Sequence, residues 1–96
     1  MDPGRYQIDV RDDGGNAYTV TVTEGTGTTT HVVRVWPSDI DRYAPDAEPA
    51  QLVEASFRFL LTREPKESIL RRFDLAVIEQ YFPEFRSEIA GVIDTH

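Results

Sequence analysis

The sequence predicts an α+β fold, in which a three-stranded antiparallel N-terminal sheet packs on a C-terminal layer of one long and two or three short helices. Two observations predict it. Before Pro37, apolar residues alternate with polar ones at a period of two, which is typical of half-buried strands. Most of the large apolar side chains come after Leu52, where they recur at helical spacing.

The first two strands form the clearest part of the sheet. Alternation over residues 6–11 and again over residues 18–23 predicts one strand each, the second with a threonine face. Between them, residues 12–16 (DDGGN) tolerate the positive φ angles that a tight hairpin turn demands. These features predict a β-hairpin.

The third strand is predicted over residues 31–36, after a flexible loop at residues 24–30 (EGTGTTT). Pro37 ends it, because proline cannot donate to a strand ladder. Short connections favour neighbouring strands, so the sheet is predicted to be a meander. Its outer strand would leave backbone groups unpaired, and a second copy of the chain or a peptide could pair with them.

The long helix is predicted over residues 50–62. Apolar residues cover about two-thirds of its circumference, so it must be covered on more than one side. We expect the sheet to cover one side and the C-terminal helices another. A near capping box at Ser38 and Asp41 begins a short turn through Tyr43, and residues 44–49 form a connector.

Three shorter segments complete the helical layer. Pro65 is predicted to begin a short helix whose buried edge is Ile69, Leu70 and Phe73. Asp74 is the predicted N-cap of a helix over residues 75–82. Apolar residues at positions 85, 89, 92 and 93 predict an amphipathic final helix, and residues 1–4 and 94–96 are expected to be loose ends.

The length and composition indicate a small globular domain. The 96 residues are expected to form one domain, with strands at about 5–36, a connector at 37–49 and helices at about 50–93. The absence of cysteine excludes disulfides and thiolate metal sites. The N-terminus lacks a signal-peptide pattern, and no apolar run approaches the roughly 20 residues of a membrane span. We therefore expect a cytoplasmic protein with no membrane contact.

Charge is distributed unevenly along the chain. The net charge is −7, which opposes non-specific nucleic-acid binding. The basic residues nevertheless concentrate in segment 58–72. Four of them could together hold a phosphate, an RNA backbone or an acidic partner: Arg63, Lys66, Arg71 and Arg72. The alternative is that they pair with the surplus carboxylates of this chain or stay solvated.

The aromatic residues around Pro83 form the second candidate site. Tyr81, Phe82 and Phe85 lie close together in the sequence, and Trp36 is a candidate neighbour. They are interpreted either as core packing or as a partly exposed patch used for association.

No catalytic, cofactor or metal site is predicted. His31 has no partner histidine except His96, and it is expected to be an exposed residue at a strand end. Asp9, Asp12 and Asp13 near Gly14 are explained by the hairpin turn, since their spacing is not that of an EF-hand loop. A helix-turn-helix is rejected, because residues 75–82 offer apolar side chains where a recognition helix needs polar or basic ones.

The run SFRFLLTREPKESILRRFDL, followed by VIEQYFPEF, resembles the C-terminal signature of a family of small prokaryotic proteins of uncharacterised function. The resemblance covers about residues 52–89 and is specific, because the run is long and ungapped. It implies a cytoplasmic prokaryotic domain and assigns no activity, cofactor or functional residue.

The sequence therefore predicts a small non-enzymatic interaction domain, which binds a protein partner or a second copy of itself. The alternative is an RNA- or phosphate-binding module that uses the basic segment 58–72.

Overall fold

A computed structural model of the chain describes residues 6–94, with the side chain of Asp94 excluded. The elements are β1 (Tyr6–Gly14), β2 (Ala17–Glu24), β3 (Gly27–Arg34), α1 (Pro37–Tyr43), α2 (Pro49–Leu61), a 3₁₀ turn (Lys66–Ser68), β4 (Arg72–Asp74), α3 (Val77–Tyr81) and α4 (Phe85–Asp94). Of the predicted loose ends at residues 1–4 and 94–96, Asp94 is the last residue of α4 and the others lie outside the described residues.

The predicted α+β fold is confirmed, with one strand more than expected. The sheet has four strands in the order β1-β2-β3-β4. The first three form the predicted antiparallel meander, whereas β4 runs parallel to β3 and makes the sheet mixed. The additional strand comes from the C-terminal half of the chain.

Two tight turns connect the meander. Gly15 and Asn16 form the first loop, and both have positive φ, as in a type I′ turn. Gly25 and Thr26 form the second, with positive φ at the glycine. The predicted loop over residues 24–30 is therefore wrong beyond Thr26, because the β-branched threonines that follow extend β3 back to Gly27.

The sheet has one buried and one polar face. Apolar side chains of β2, such as Val20 and Val22, lie on the buried face, and so do Thr29, His31 and Val33 of β3. The threonines that alternate with them lie on the opposite face. The alternation read from the sequence thus predicts the correct face for β2.

Helix α2 is covered on two sides, as its apolar surface requires. The Phe57 ring faces the sheet, with its centroid 5.2 Å from the His31 ring and 6.0 Å from the Phe73 ring. Phe59 faces the C-terminal segment, with its centroid 5.1 Å from the Phe85 ring. The prediction that the sheet and the C-terminal helices share the cover of this helix is confirmed.

The segment after α2 differs most from the prediction. In place of a helix from Pro65 to Phe73, the chain makes the 3₁₀ turn and then β4. Asp74 is the last residue of that strand and caps no helix, and α3 begins only at Val77. Residues 72–74 form a strand because they pair with β3, and this tertiary contact overrides a weak local preference for helix.

Candidate functional site

An apolar groove lies between the C-terminal end of α2, the segment that follows it, β4 and α3. Its volume is about 250 Å³. Its walls include Leu60 of α2, Ile69 and Leu70 of the following segment, Phe73 of β4 and Tyr81 of α3. Four parts of the chain therefore converge on a single concave surface.

Two large apolar side chains in this groove remain in contact with water. Leu70 is 47% exposed and Tyr81 is 67% exposed. Among the described residues, Trp36 is the other large apolar side chain left exposed, and it does not line the groove. Adjacent exposed apolar side chains in a concavity are typical of a binding surface.

A buried histidine fixes the chain at the edge of the groove. His31 is 0% exposed, and its Nδ1 donates to the carbonyl oxygen of Leu70 over 2.8 Å. Its Nε2 accepts from the Thr29 hydroxyl over 2.9 Å. Burial lowers the pKa of His31, so the neutral ring with its proton on Nδ1 satisfies both contacts. With this carbonyl held inward and Ile69 buried, the Leu70 side chain projects outward.

The expectation that His31 is exposed at a strand end is wrong. Strand β3 begins at Gly27, so His31 lies in mid-strand, opposite Val20 on the buried face. The signal that could have located it is its two-residue spacing from Val33, which continues the buried alternation towards Thr29.

Strand β4 pairs with β3 along one side. Val32 N donates to Arg71 O over 2.7 Å before the strand, and Leu75 N donates to Arg34 O over 2.9 Å after it. These bonds fix β4 at the edge of the sheet, directly beside the groove.

The other side of β4 is open. Phe73 lies opposite Val33 and directs its backbone groups towards β3. Because backbone groups alternate in direction along a strand, the N–H and C=O groups of Arg72 and Asp74 point away from β3. No residue of the described range 6–94 pairs with them. The groove is therefore bordered by an unpaired strand edge.

The groove contains one carboxyl group, that of Glu64. Burial raises the pKa of Glu64 above its ordinary value. Nothing in the described part of the chain forms a hydrogen bond or ion pair with its side chain. Filling the groove with apolar groups would bury this carboxyl further and raise its pKa again.

The structure divides the four candidate basic residues into two pairs, and the first pair is engaged within the fold. Arg63 reaches Glu84 at 3.1 Å and Glu88 at 3.0 Å, and its guanidinium lies 3.7 Å from the centroid of the Phe59 ring. The pKa of Glu84 is lowered by its own backbone N–H and then by Arg63.

Lys66 is also engaged. It is 5% exposed, and its ammonium contacts Glu67 and lies 3.8 Å from Glu24. The hydrogen bond with Glu67 raises the pKa of Lys66 and lowers that of Glu67. Arg63 and Lys66 thus bind carboxylates of this chain, which is the alternative weighed for the basic segment.

Arg71 and Arg72 behave differently. Both are exposed, and neither forms an ion pair with another described residue. Arg72 belongs to β4, so an unpaired positive charge lies at the open strand edge.

The candidate aromatic residues also separate. Phe85 is 0% exposed and packs against Tyr43 and Phe59, so it belongs to the core and not to a surface patch. Phe82 is half-buried and lines the groove together with Tyr81. Trp36 lies outside it, and the Arg34 guanidinium is 5.7 Å from its ring. The structure thus retains two of the four aromatic candidates at the groove.

Within residues 6–94, no group of three or more His, Cys, Asp or Glu side chains is placed to hold a metal ion. The helices of the same range lack the combination of length and hydropathy that a membrane span needs.

Comparisons of this chain with protein families, curated proteins and solved structures found no match, so its resemblance to the prokaryotic family stays a prediction.

Proposed function

We propose that this chain is a small non-enzymatic interaction domain that binds a protein partner through the groove beside β4. The observation that carries the proposal is the position of Leu70 and Tyr81, two exposed apolar side chains in a groove bordered by an unpaired strand edge. The cytoplasmic location expected from the sequence stays a prediction.

The exposed apolar surface supplies a driving force for association. Burying the accessible parts of Leu70 and Tyr81 contributes about 2 kcal/mol each, at roughly 25 cal/mol per Å² of apolar surface. A few residues at the centre of an interface dominate its binding energy, and tyrosine is enriched among them, which makes Tyr81 the stronger of the two candidates.

The size of the groove is compatible with a protein side chain as its occupant. Pockets for drug-sized ligands usually enclose about 300–1,000 Å³. This groove is smaller, at about 250 Å³, and it suits one or two apolar side chains of a partner.

The alternative of an RNA- or phosphate-binding module loses support. Arg63 and Lys66 are already paired with carboxylates, which leaves Arg71 and Arg72 on a chain with a net charge of −7. Two arginines neutralise too few phosphates for strong binding to a polyanion.

A selection of binding peptides from a displayed library tests the proposal. Selected peptides are titrated into isotope-labelled protein, and amide shifts map where they bind. Leu70→Ser and Tyr81→Ser are expected to weaken binding at least tenfold, whereas Trp36→Ser, at an exposed aromatic residue outside the groove, leaves it unchanged. Peptides that map elsewhere, or that bind both groove variants at wild-type affinity, would overturn the proposal.

Sedimentation of the unliganded protein over a concentration series identifies the partner class. A monomer is expected. A dimer that Tyr81→Ser dissociates would instead make a second copy of this chain the occupant of the groove.

A further inference from the structure

We infer that the partner segment is an extended, acidic–apolar peptide that adds to β4 as a fifth strand. This inference rests on the proposed function of the groove. It assigns the conformation of the partner, the face towards which each of its side chains points, and its charge.

The backbone of β4 is suited to strand addition. The N–H and C=O groups of Arg72 and Asp74 point away from β3, which leaves two donors and two acceptors at the edge. An added strand satisfies them with main-chain hydrogen bonds, while pockets for alternate side chains provide selectivity. A helical partner would leave these groups to water.

The two faces of β4 determine which side chains of the partner enter the groove. Phe73 points to the buried face, where its ring lies beside Phe57 and lines the groove. A partner residue opposite Phe73 shares that face, because side chains alternate along a strand. It therefore inserts into the groove between Leu70 and Tyr81, and it must be apolar.

The outer face of β4 supplies the charge preference. Asp74 lies opposite Arg34 in the register of β3 and β4, so it has a neighbouring cation. Arg72 lies opposite uncharged Val32, and within residues 6–94 its side chain forms no ion pair, not even with Asp74 on the same face of β4. A carboxylate on the added strand beside Arg72 would supply the missing charge, and exposed Arg71 adds to the positive field. The inferred peptide therefore has an acidic residue directly next to an apolar residue in its sequence.

The opposite edge of the sheet does not suit the same partner. β1 carries three aspartates, Asp9, Asp12 and Asp13, against one arginine, Arg11, and its register shifts between Asp12 and Gly14. Charges and bulges of this kind protect edge strands from pairing. An acidic peptide is repelled there and attracted to β4.

Four blocked peptides of about eight residues test the inference. The first alternates aspartate with leucine, the second has the same composition in scrambled order, and the third replaces aspartate with lysine. The fourth is the first peptide N-methylated at the amides that face β4. We expect the alternating acidic peptide to bind at least tenfold more tightly than the scrambled and N-methylated peptides, and to protect the amides of Arg72 and Asp74 from hydrogen exchange.

Charge reversal tests the role of Arg72. Arg72→Glu is expected to lower the affinity for the acidic peptide about fivefold and to raise the affinity for the lysine peptide by a similar factor. The reason is that an opposite-charge cross-strand pair contributes up to about 1 kcal/mol, which corresponds to about fivefold in affinity. Arg86→Glu, at an exposed arginine on α4, is the matched control and should change neither affinity.

The inference and the proposed function fail in different ways. Peptides that need Leu70 and Tyr81 but tolerate N-methylation, with Arg72 and Asp74 unprotected, would overturn strand addition and leave the groove function intact. Failure of the alternating peptide to bind would also overturn strand addition. Binders that map away from the groove would overturn both.

Discussion

His31 of β3 donates a hydrogen bond from Nδ1 to the carbonyl oxygen of Leu70, 2.8 Å away, although the two residues are 39 positions apart in the chain. This bond connects the centre of the sheet to the wall of the groove. The histidine itself is fully buried. The stability of the fold and the shape of the candidate site therefore depend on the same side chain.

His31→Phe should lower the free energy of unfolding by about 2–4 kcal/mol. The substituted ring fills the space but leaves the Thr29 hydroxyl and the Leu70 carbonyl without their partner, and each buried unsatisfied group costs about 1–3 kcal/mol. Urea denaturation measures the change. Thr30→Ala, one position along on the exposed face, is the control and should stay within about 0.5 kcal/mol. If both substitutions lowered the free energy of unfolding equally, the hydrogen bonds of His31 would not contribute to stability as proposed.

The stability should also fall as the pH drops below about 6.5, the ordinary pKa of histidine. Burial lowers the pKa of His31, and the nearby charge of Arg71 lowers it further, although the bond to Leu70 opposes both. The unfolded chain therefore takes up a proton before the folded one does, and stability is lost until the pH reaches the folded pKa. The groups that face the ring are the Phe57 ring, the Thr29 hydroxyl and the Leu70 carbonyl.

Urea denaturation of wild type and His31→Gln between pH 7.5 and 5 isolates this contribution. Every other titratable group is present in both proteins, so its contribution cancels in the difference. The difference in unfolding free energy should shrink as the pH falls. A difference that stays constant across this range would rule out titration of His31 as the cause.

Arg63→Ala should lower the free energy of unfolding by about 1–2 kcal/mol. It removes two partly exposed ion pairs and the stacking of the guanidinium on Phe59. Arg63→Lys should recover less than half, because an ammonium cannot bridge two carboxylates and cover a ring at once. Thermal or urea denaturation measures both. Arg71→Ala, at an exposed arginine, serves as the control. If it lowered the free energy of unfolding as much as Arg63→Ala, the distinction between engaged and exposed basic residues would be refuted.

Substitutions at Gly27 and Lys66 should have coupled effects on the free energy of unfolding. A Cβ atom at Gly27 would lie 2.9 Å from Lys66 Nζ, which is held by Glu67 and Glu24. Gly27→Ala should therefore destabilise the wild type by about 1 kcal/mol. In a Lys66→Ala background the contact is gone, and the same change should be neutral or stabilising, since glycine weakens strands. A double-mutant cycle measures the difference, and a coupling energy near zero would exclude the contact.

Phe57→Ala should be the most damaging of these substitutions, at about 3–5 kcal/mol, because the ring is fully buried against β3 and β4 of the sheet. That loss approaches the total stability of a small domain, about 5–15 kcal/mol. Phe57→Leu should cost less than half as much. Circular dichroism and urea denaturation distinguish the two variants. A Phe57→Ala protein as stable as the wild type would contradict the packing of α2 in the core.

The sequence alone determined the features that depend on local pattern. Alternation and positive-φ residues fixed the first hairpin, and the apolar circumference of α2 required cover from two sides, which Phe57 and Phe59 receive from the sheet and from α4. These predictions succeed because periodicity and turn conformation act over a few neighbouring residues.

Tertiary structure alone decided the features that depend on distant partners. Residues 72–74 pair with β3 although their neighbours have helical spacing, and His31 is buried because β3 begins four residues earlier than predicted. The same holds for the groove and for the engagement of Arg63 and Lys66, whose carboxylate partners include Glu88 and Glu24 from other elements. Such contacts link segments far apart in the chain, and local propensity carries no information about which segments will meet.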